Sequence, residues 1–196
     1  RRPDARQGDL MPKITASPAQ HWDPSLLLQA QEIAVAFFDV DGVLTDGGLL
    51  FSADGETLKR FHTLDGHGLK MLQMAGIMPA VITGRDSPAL RLRLRNLGIQ
   101  HARFGTEEKV PAAQSILDEL QLGWHQAAAM GDDWPDLPVL RRSRFACAPA
   151  NAHAEVLATA DWITTHAGGQ GAVREFCDLL LAARGAYAGL LEQYWK

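Results

Sequence analysis

The chain has 196 residues, 46% hydrophobic and 21% charged, the balance of an ordinary globular protein of about one domain, which excludes a wholly disordered or collagen-like chain. Its 19 Lys and Arg against 23 Asp and Glu leave a net charge of −4 with no basic run, so nucleic acid is not an expected partner. Two cysteines, Cys147 and Cys177, exclude a disulfide scaffold and a cysteine-rich zinc module and fit a reducing compartment, and no apolar stretch reaches the roughly 20 residues of a membrane helix.

Residues 1 to about 24 are polar and punctuated by Pro3, Pro12, Pro18 and Pro24; they predict an arm outside the core, and their basic start leads into no apolar stretch of the kind a secretory signal carries. A core domain over 25–184 and a tail over 185–196 complete the chain. Residues 26–32 fit a short lead-in helix. The continuous apolar run over 33–38 predicts a strand buried on both faces, and 78–82, 127–130 and 145–148 resemble it, the alanine-rich runs less distinctly. Between 33–38 and 78–82, Asp54-Gly55 within 49–61 signals a hairpin. Helical patterns cover 86–97, with Asp86 or Ser87 as cap, Pro88 in the first turn and Gly98 past the end, then 109–122 ending at Gly123, and about 171–184. Strands alternating with helices imply a mostly parallel sheet with helices on both faces, so the residues directly after each strand carry the ligand site.

Four such segments carry chemistry. Asp39-Val40-Asp41-Gly42-Val43-Leu44-Thr45 follows the first strand, and Gly42 permits a tight turn that brings backbone N–H groups round an anion. Thr83-Gly84-Arg85 offers a hydroxyl to a phosphate oxygen, or a cap to the next helix. Lys109 opens a helix, where the macrodipole prefers an acid; taken alone, it reads as a solvated lysine. Gly131-Asp132-Asp133-Trp134-Pro135-Asp136 places three acids in five residues, which repel one another unless a cation neutralises them. Hard divalent cations such as magnesium take oxygen ligands, although Asp133 or Asp136 can also cap the following helix. Together the four segments supply the kit for phosphoryl transfer: an anionic nucleophile, an acid, and cations to offset charge.

With Asp65-Gly66-His67-Gly68 and Gly168-Gly169-Gln170-Gly171-Ala172-Val173-Arg174-Glu175, these strings resemble the haloacid dehalogenase superfamily of aspartyl-phosphate phosphatases over about 33–183. Within it they are similar to the group that hydrolyses the phosphomonoester of an eight-carbon keto-sugar acid. The resemblance implies an α/β fold: a Rossmann-like, doubly wound, mostly parallel sheet, a β-hairpin after the first strand and no separate cap domain. It implies Asp39 as nucleophile and Asp41 as the acid that protonates the leaving sugar oxygen and then the base toward water, roles that ask opposite protonation states of the two at rest. Mg2+ is the implied cofactor, held by the Asp39 and Asp132 carboxylates and the backbone carbonyl of Asp41, with Asp133 and Asp136 behind them holding metal waters or Lys109. Gly42, Thr83 and Lys109 are the implied phosphate contacts. Asp39 and Asp132 with a phosphomonoester dianion carry about −4, against about +3 from magnesium and Lys109.

The substrate carboxylate favours a nearby arginine, Arg85 first and Arg93 second, although Arg93 equally fits a solvated helix face. His67 reads as part of a structural turn. Leu64 and Phe104 depart from residues frequent in relatives. Arg85 leans toward the eight-carbon ester; the alternatives are the nine-carbon 2-keto-3-deoxynononate 9-phosphate and a non-catalytic phosphatase-like oligomerisation module. The resemblance further implies a cytoplasmic role in lipopolysaccharide biosynthesis and a homotetramer whose neighbouring subunits cover each site, with the hairpin at 49–61 as contact. Residues 168–171 read as the start of a lid or as a flexible link.

Overall fold

The computed structural model describes residue 19, residues 21–53 and residues 55–194. All four residues of β1 (Val35–Phe38) are buried, because alternate side chains point into two separate cores. Ala36 and Phe38 join the core under α1 (Pro24–Ala30), α2 (Thr63–Met74), α3 (Pro88–Leu97) and α7 (Ala172–Ala183). Val35 and Phe37 join the core under α4 (Lys109–Leu120), α5 (Leu137–Leu140) and α6 (Ala154–Thr159).

β1 pairs in parallel with β4 (Met78–Ile82) on one side and β6 (Ala127–Met130) on the other. β5 (His101–Arg103) extends the first side, and β7 (Phe145–Ala148) and β8 (Trp162–Ile163) extend the second, all in parallel. The order β5-β4-β1-β6-β7-β8 therefore reverses direction at β1, and a crevice opens beyond the carboxyl ends of β4, β1 and β6. The short edge strands β5 and β8 were not among the predicted elements, since two or three residues show no period. The alanine run of β6 becomes a strand because both its neighbours supply ladder partners.

Ser87 caps α3, its Oγ accepting from the Leu90 N–H at 3.3 Å, and Gly98 closes it in the left-handed region at φ 72°. α4 stops earlier than its predicted glycine: Gln121 itself adopts φ 57°, and Gly123 instead precedes a short 3-10 turn at Trp124–Gln126. The Asp65-Gly66-His67-Gly68 string lies inside α2 rather than in a turn. Its buried Asp65 accepts from the Arg174 N–H at 2.9 Å and so caps α7 from the neighbouring helix. Helix α7 packs on β1 and β7 through Phe176, whose ring lies 5.9 Å from Phe38 and 6.1 Å from Phe145.

The segment read as a tail folds back on the same core: α8 (Tyr187–Glu192) buries Leu190, and Tyr194 sets its ring edge-on to His67 at 5.6 Å. Tyr194 thereby covers part of α2. At the other end Trp22 already packs against the core, while residues 1–18 and 20 of the predicted arm lie outside the described residues. The hairpin forms as β2 (Leu50–Ser52) and β3 (Gly55–Leu58), antiparallel, with Asp54 of the predicted turn outside the described residues.

Truncating Phe176 leaves a cavity against two rings. Phe176→Ala is expected to lower stability by about 3–5 kcal/mol, read from the shift of the urea unfolding midpoint.

Candidate active site

Each chemical segment starts where a strand stops. Asp39 follows β1, and its N–H donates to the Met130 carbonyl at 3.1 Å, tying the two loops that carry acids. Thr45 pins the first loop: its hydroxyl donates to the Val40 carbonyl and accepts from the Gly42 and Gly47 N–H groups, all at 3.3–3.4 Å. Gly42 stands at φ +95°, and a side chain there would overlap the Asp132 carboxylate. Its absent Cβ makes room for Asp132, and its N–H donates to the Thr45 hydroxyl at 3.4 Å.

A second pair of glycines supports the loop from behind. Gly168 and Gly169 lie so close that a Cβ on either would overlap the backbone of Gly42 or of Thr45 and Asp46, and the Gly169 N–H donates to the Val43 carbonyl at 2.9 Å. Asn151 Oδ1 accepts from the Gly168 N–H at 2.9 Å, and Glu175 accepts from the Thr165 N–H at 2.7 Å. Gly168 and Gly169 thus buttress the loop that carries Asp39 and Asp41, and close backbone packing explains these two glycines.

Lys109 sits at the first position of α4 with a side chain 7% exposed, which removes the reading of a solvated lysine. Its Nζ donates to Asp39 Oδ1 at 2.7 Å and to Asp136 Oδ1 at 2.6 Å. Burial pulls its pKa down, but Asp39 and Asp136 outweigh that and hold it above the ordinary lysine value. The second oxygen of Asp136 accepts from the Asp132 and Asp133 N–H groups at 3.0 and 3.3 Å. Asp136 is therefore both the turn cap and the Lys109 partner that the sequence offered as alternatives. Asp133 is exposed and accepts from the Trp134 N–H at 2.8 Å, a local cap.

Asp39, Asp132 and Asp136 each present a carboxylate oxygen within 4.8 Å of the others. Burial, then Asp136, pushes Asp39 up to about 6 against the pull of Lys109. Burial, then Asp39, Asp136 and Asp133, pushes Asp132 up to about 7. With one lysine among three carboxylates, the cluster is short of positive charge. Its donors are hard oxygens, and both Asp136 oxygens are already engaged, so Asp39 and Asp132 fit a hard dication such as magnesium. The cleft around them encloses about 480 Å³, and Asp41, Thr83, Arg85 and Glu107 share its lining. Thr83 is buried, its Oγ1 accepting from the Arg85 N–H at 3.2 Å. Arg93 does not reach this cleft: it donates to the His62 carbonyl at 3.4 Å beside Phe61, under the α2–α3 contact.

Residues 104–176 match the model for haloacid dehalogenase-like hydrolases. The chain is 40% identical over 162 residues to the 3-deoxy-D-manno-octulosonate 8-phosphate phosphatase KdsC of Salmonella typhimurium, covering 83% of this chain and 86% of that protein. It belongs to the KdsC family of haloacid dehalogenase-like phosphatases. Among solved members, a probable YrbI family phosphatase from Pseudomonas syringae pv. phaseolica is 45% identical, with TM-score 0.87 over 89% of this chain and 99% of that one. The Moraxella catarrhalis 3-deoxy-D-manno-octulosonate 8-phosphate phosphatase, solved with magnesium, phosphate and KDO, is 35% identical, with TM-score 0.84 over 87% and 98%.

Sequence reasoning missed Lys59 and Glu56 of the hairpin, which lie against Asp41 in this KdsC-family cleft. Their only signal was the hairpin's position directly after the first motif. The raised values of Asp39 and Asp132 make magnesium compete with protons: both acids are ionised at about pH 8, while near pH 6 Asp132 is mostly and Asp39 about half protonated. Magnesium affinity is expected to fall by roughly tenfold over that range, with protons released on binding, measured by titration calorimetry in buffers of different ionisation enthalpy.

Proposed function

We propose that this chain hydrolyses the phosphomonoester of 3-deoxy-D-manno-octulosonate 8-phosphate to the free sugar acid and phosphate, with magnesium as cofactor. The observation that carries the reading is the buried meeting of Lys109 with Asp39 in a cleft that also holds Asp41, Asp132, Thr83 and Arg85. Family membership supports the choice of substrate class.

Asp39 attacks phosphorus, and the phosphoryl group passes to its carboxylate as the bond to the sugar oxygen breaks. Asp41 gives that oxygen its proton, then takes one from the water that hydrolyses the aspartyl phosphate. Lys109 keeps Asp39 ionised and aimed, and with the Thr83 hydroxyl it receives the phosphoryl oxygens. Asp39, Asp132 and the Asp41 backbone would hold magnesium, whose charge offsets that of the carboxylates and phosphate. Arg85 stands at the cleft 3.6 Å from Asp41 Oδ2 with 47% of its side chain exposed, and its guanidinium is the group that meets the sugar acid's carboxylate. Asp133 and Asp136 act through their neighbours, Asp136 by fixing Lys109 and the Asp132 backbone.

The enzyme is expected to release phosphate from the octulosonate 8-phosphate with magnesium and not after its removal, and Asp39→Asn is expected to lower kcat by at least about 10³-fold, measured by phosphate release. A panel that includes the nine-carbon ester tests the substrate; preference for that ester overturns the eight-carbon choice.

The proposed assembly is a homotetramer, supported by the hairpin's apolar face: Leu50, Phe51 and Leu58 are 53%, 64% and 63% exposed. Leu50→Asp with Phe51→Asp is expected to reduce the mass in light scattering to that of smaller species. The proposed compartment is the cytoplasm, supported by the free buried thiols Cys147 and Cys177; among the described residues no helix is long and apolar enough to cross a membrane.

A further inference from the structure

Lys59 directly follows β3 and has a side chain only 2% exposed. Its Nζ donates to Asp41 Oδ1 at 2.5 Å and lies 2.6 Å from Glu56 Oε1. In an extended strand, residues three apart point to opposite faces. The end of β3 at Leu58 lets the chain turn, so that Glu56 and Lys59 meet. Arg85 approaches the same group with Nε 3.6 Å from Asp41 Oδ2, beyond hydrogen-bond reach, and Nη1 3.9 Å from Glu56 Oε2. A lysine is rarely buried unless paired, and this one has both partners on functional ground: a carboxylate of its own hairpin and one of the nucleophile loop.

The two contacts divide the work. Glu56 pairs with the ammonium from within the hairpin, and the ammonium fixes Oδ1 of Asp41, which leaves Oδ2 facing Arg85 with no hydrogen bond between them. Arg85, about half exposed, has not closed on that second oxygen. Loss of Lys59 would leave the Asp41 side chain free to turn away from the cleft, without touching Asp39, Lys109 or Asp132.

We propose that Lys59, braced by Glu56, is a positioning residue for Asp41: it holds the carboxylate where Oδ2 serves the oxygen linking sugar to phosphorus. The inference rests on the reading of Asp41 as proton donor given above. In the step concerned, the Asp39–phosphorus bond forms, the phosphorus–sugar oxygen bond breaks, and the proton on Oδ2 passes to the departing oxygen. Lys59 keeps its own protons throughout. The hairpin is thereby tied to the reaction and is not only a surface for neighbouring subunits.

The test compares two leaving groups. A sugar alkoxide needs a proton as it departs, whereas the nitrophenolate of p-nitrophenyl phosphate leaves without one. With enzyme in excess and magnesium present, release of sugar and of nitrophenolate is followed within one turnover, so that hydrolysis of the aspartyl phosphate does not enter. Lys59→Met is expected to slow sugar release by about 10²-fold while nitrophenolate release stays within about threefold, and Lys59→Arg is expected to recover most of the sugar rate. Equal slowing of both esters by a folded Lys59→Met, or no slowing of either, overturns the assignment. Should circular dichroism show that Lys59→Met does not fold, Glu56→Gln carries the same comparison; a loss confined to the sugar ester supports the assignment, and any other result overturns it. Failure of the underlying functional reading looks different: the wild-type enzyme would then release nitrophenolate and leave the sugar ester intact, removing that reading and this assignment with it.

Discussion

Repulsion among buried carboxylates is the constraint on which this site depends. Asp39 and Asp132 follow two adjacent parallel strands, and Asp136 turns back toward both. Left in an apolar interior, such charges would neutralise themselves by taking up protons, and the raised values of Asp39 and Asp132 are that tendency. Lys109 offsets one charge and is itself kept protonated by the acids it serves. The imbalance that remains is what gives the cluster an appetite for a hard dication and, with it, for a phosphoryl group.

Holding like charges together requires a rigid scaffold, and backbone packing supplies it. The loop after β1 is pinned internally by Thr45, faced by Asp132 across Gly42, and backed by Gly168 and Gly169. At Gly42, Gly168 and Gly169 a side chain would collide with backbone or with the Asp132 carboxylate. Glu175 secures the backing loop through Thr165 and His166; burial pushes its pKa up, but hydrogen bonds from Thr165 first and then His166 outweigh that and hold it below the ordinary glutamate value. That bracing is present above the ordinary glutamate pKa and is lost as pH falls through the lowered one. Asp65 braces the same region from the adjacent helix, capping α7 from α2. Much of what looked like chemistry in the glycine-rich strings is the means of bringing main chains into contact.

The hairpin unites two demands. Its outer residues Leu50, Phe51 and Leu58 face solvent, while Glu56 and Lys59 turn inward to Asp41. A two-stranded hairpin is marginal by itself. Here the charged contacts with the cleft anchor one side of it and leave the apolar residues on the surface.

From the sequence alone, the four long strands, a capped helix within 86–97, and the order of Asp39, Asp41, Thr83, Lys109 and Asp132 along the chain were determined, because apolar runs and caps are local signals and strand ends in an alternating α/β chain converge by topology. Tertiary structure alone decided the rest. It assigned Asp136 both of its offered roles, drew Lys59 and Glu56 to Asp41, directed Arg93 away from the cleft, and packed Gly168 and Gly169 against the loop after β1. A charged side chain's partner lies far away in sequence, at 70 residues' separation for Lys109 and Asp39, and no local pattern encodes which of several acids a buried cation will reach.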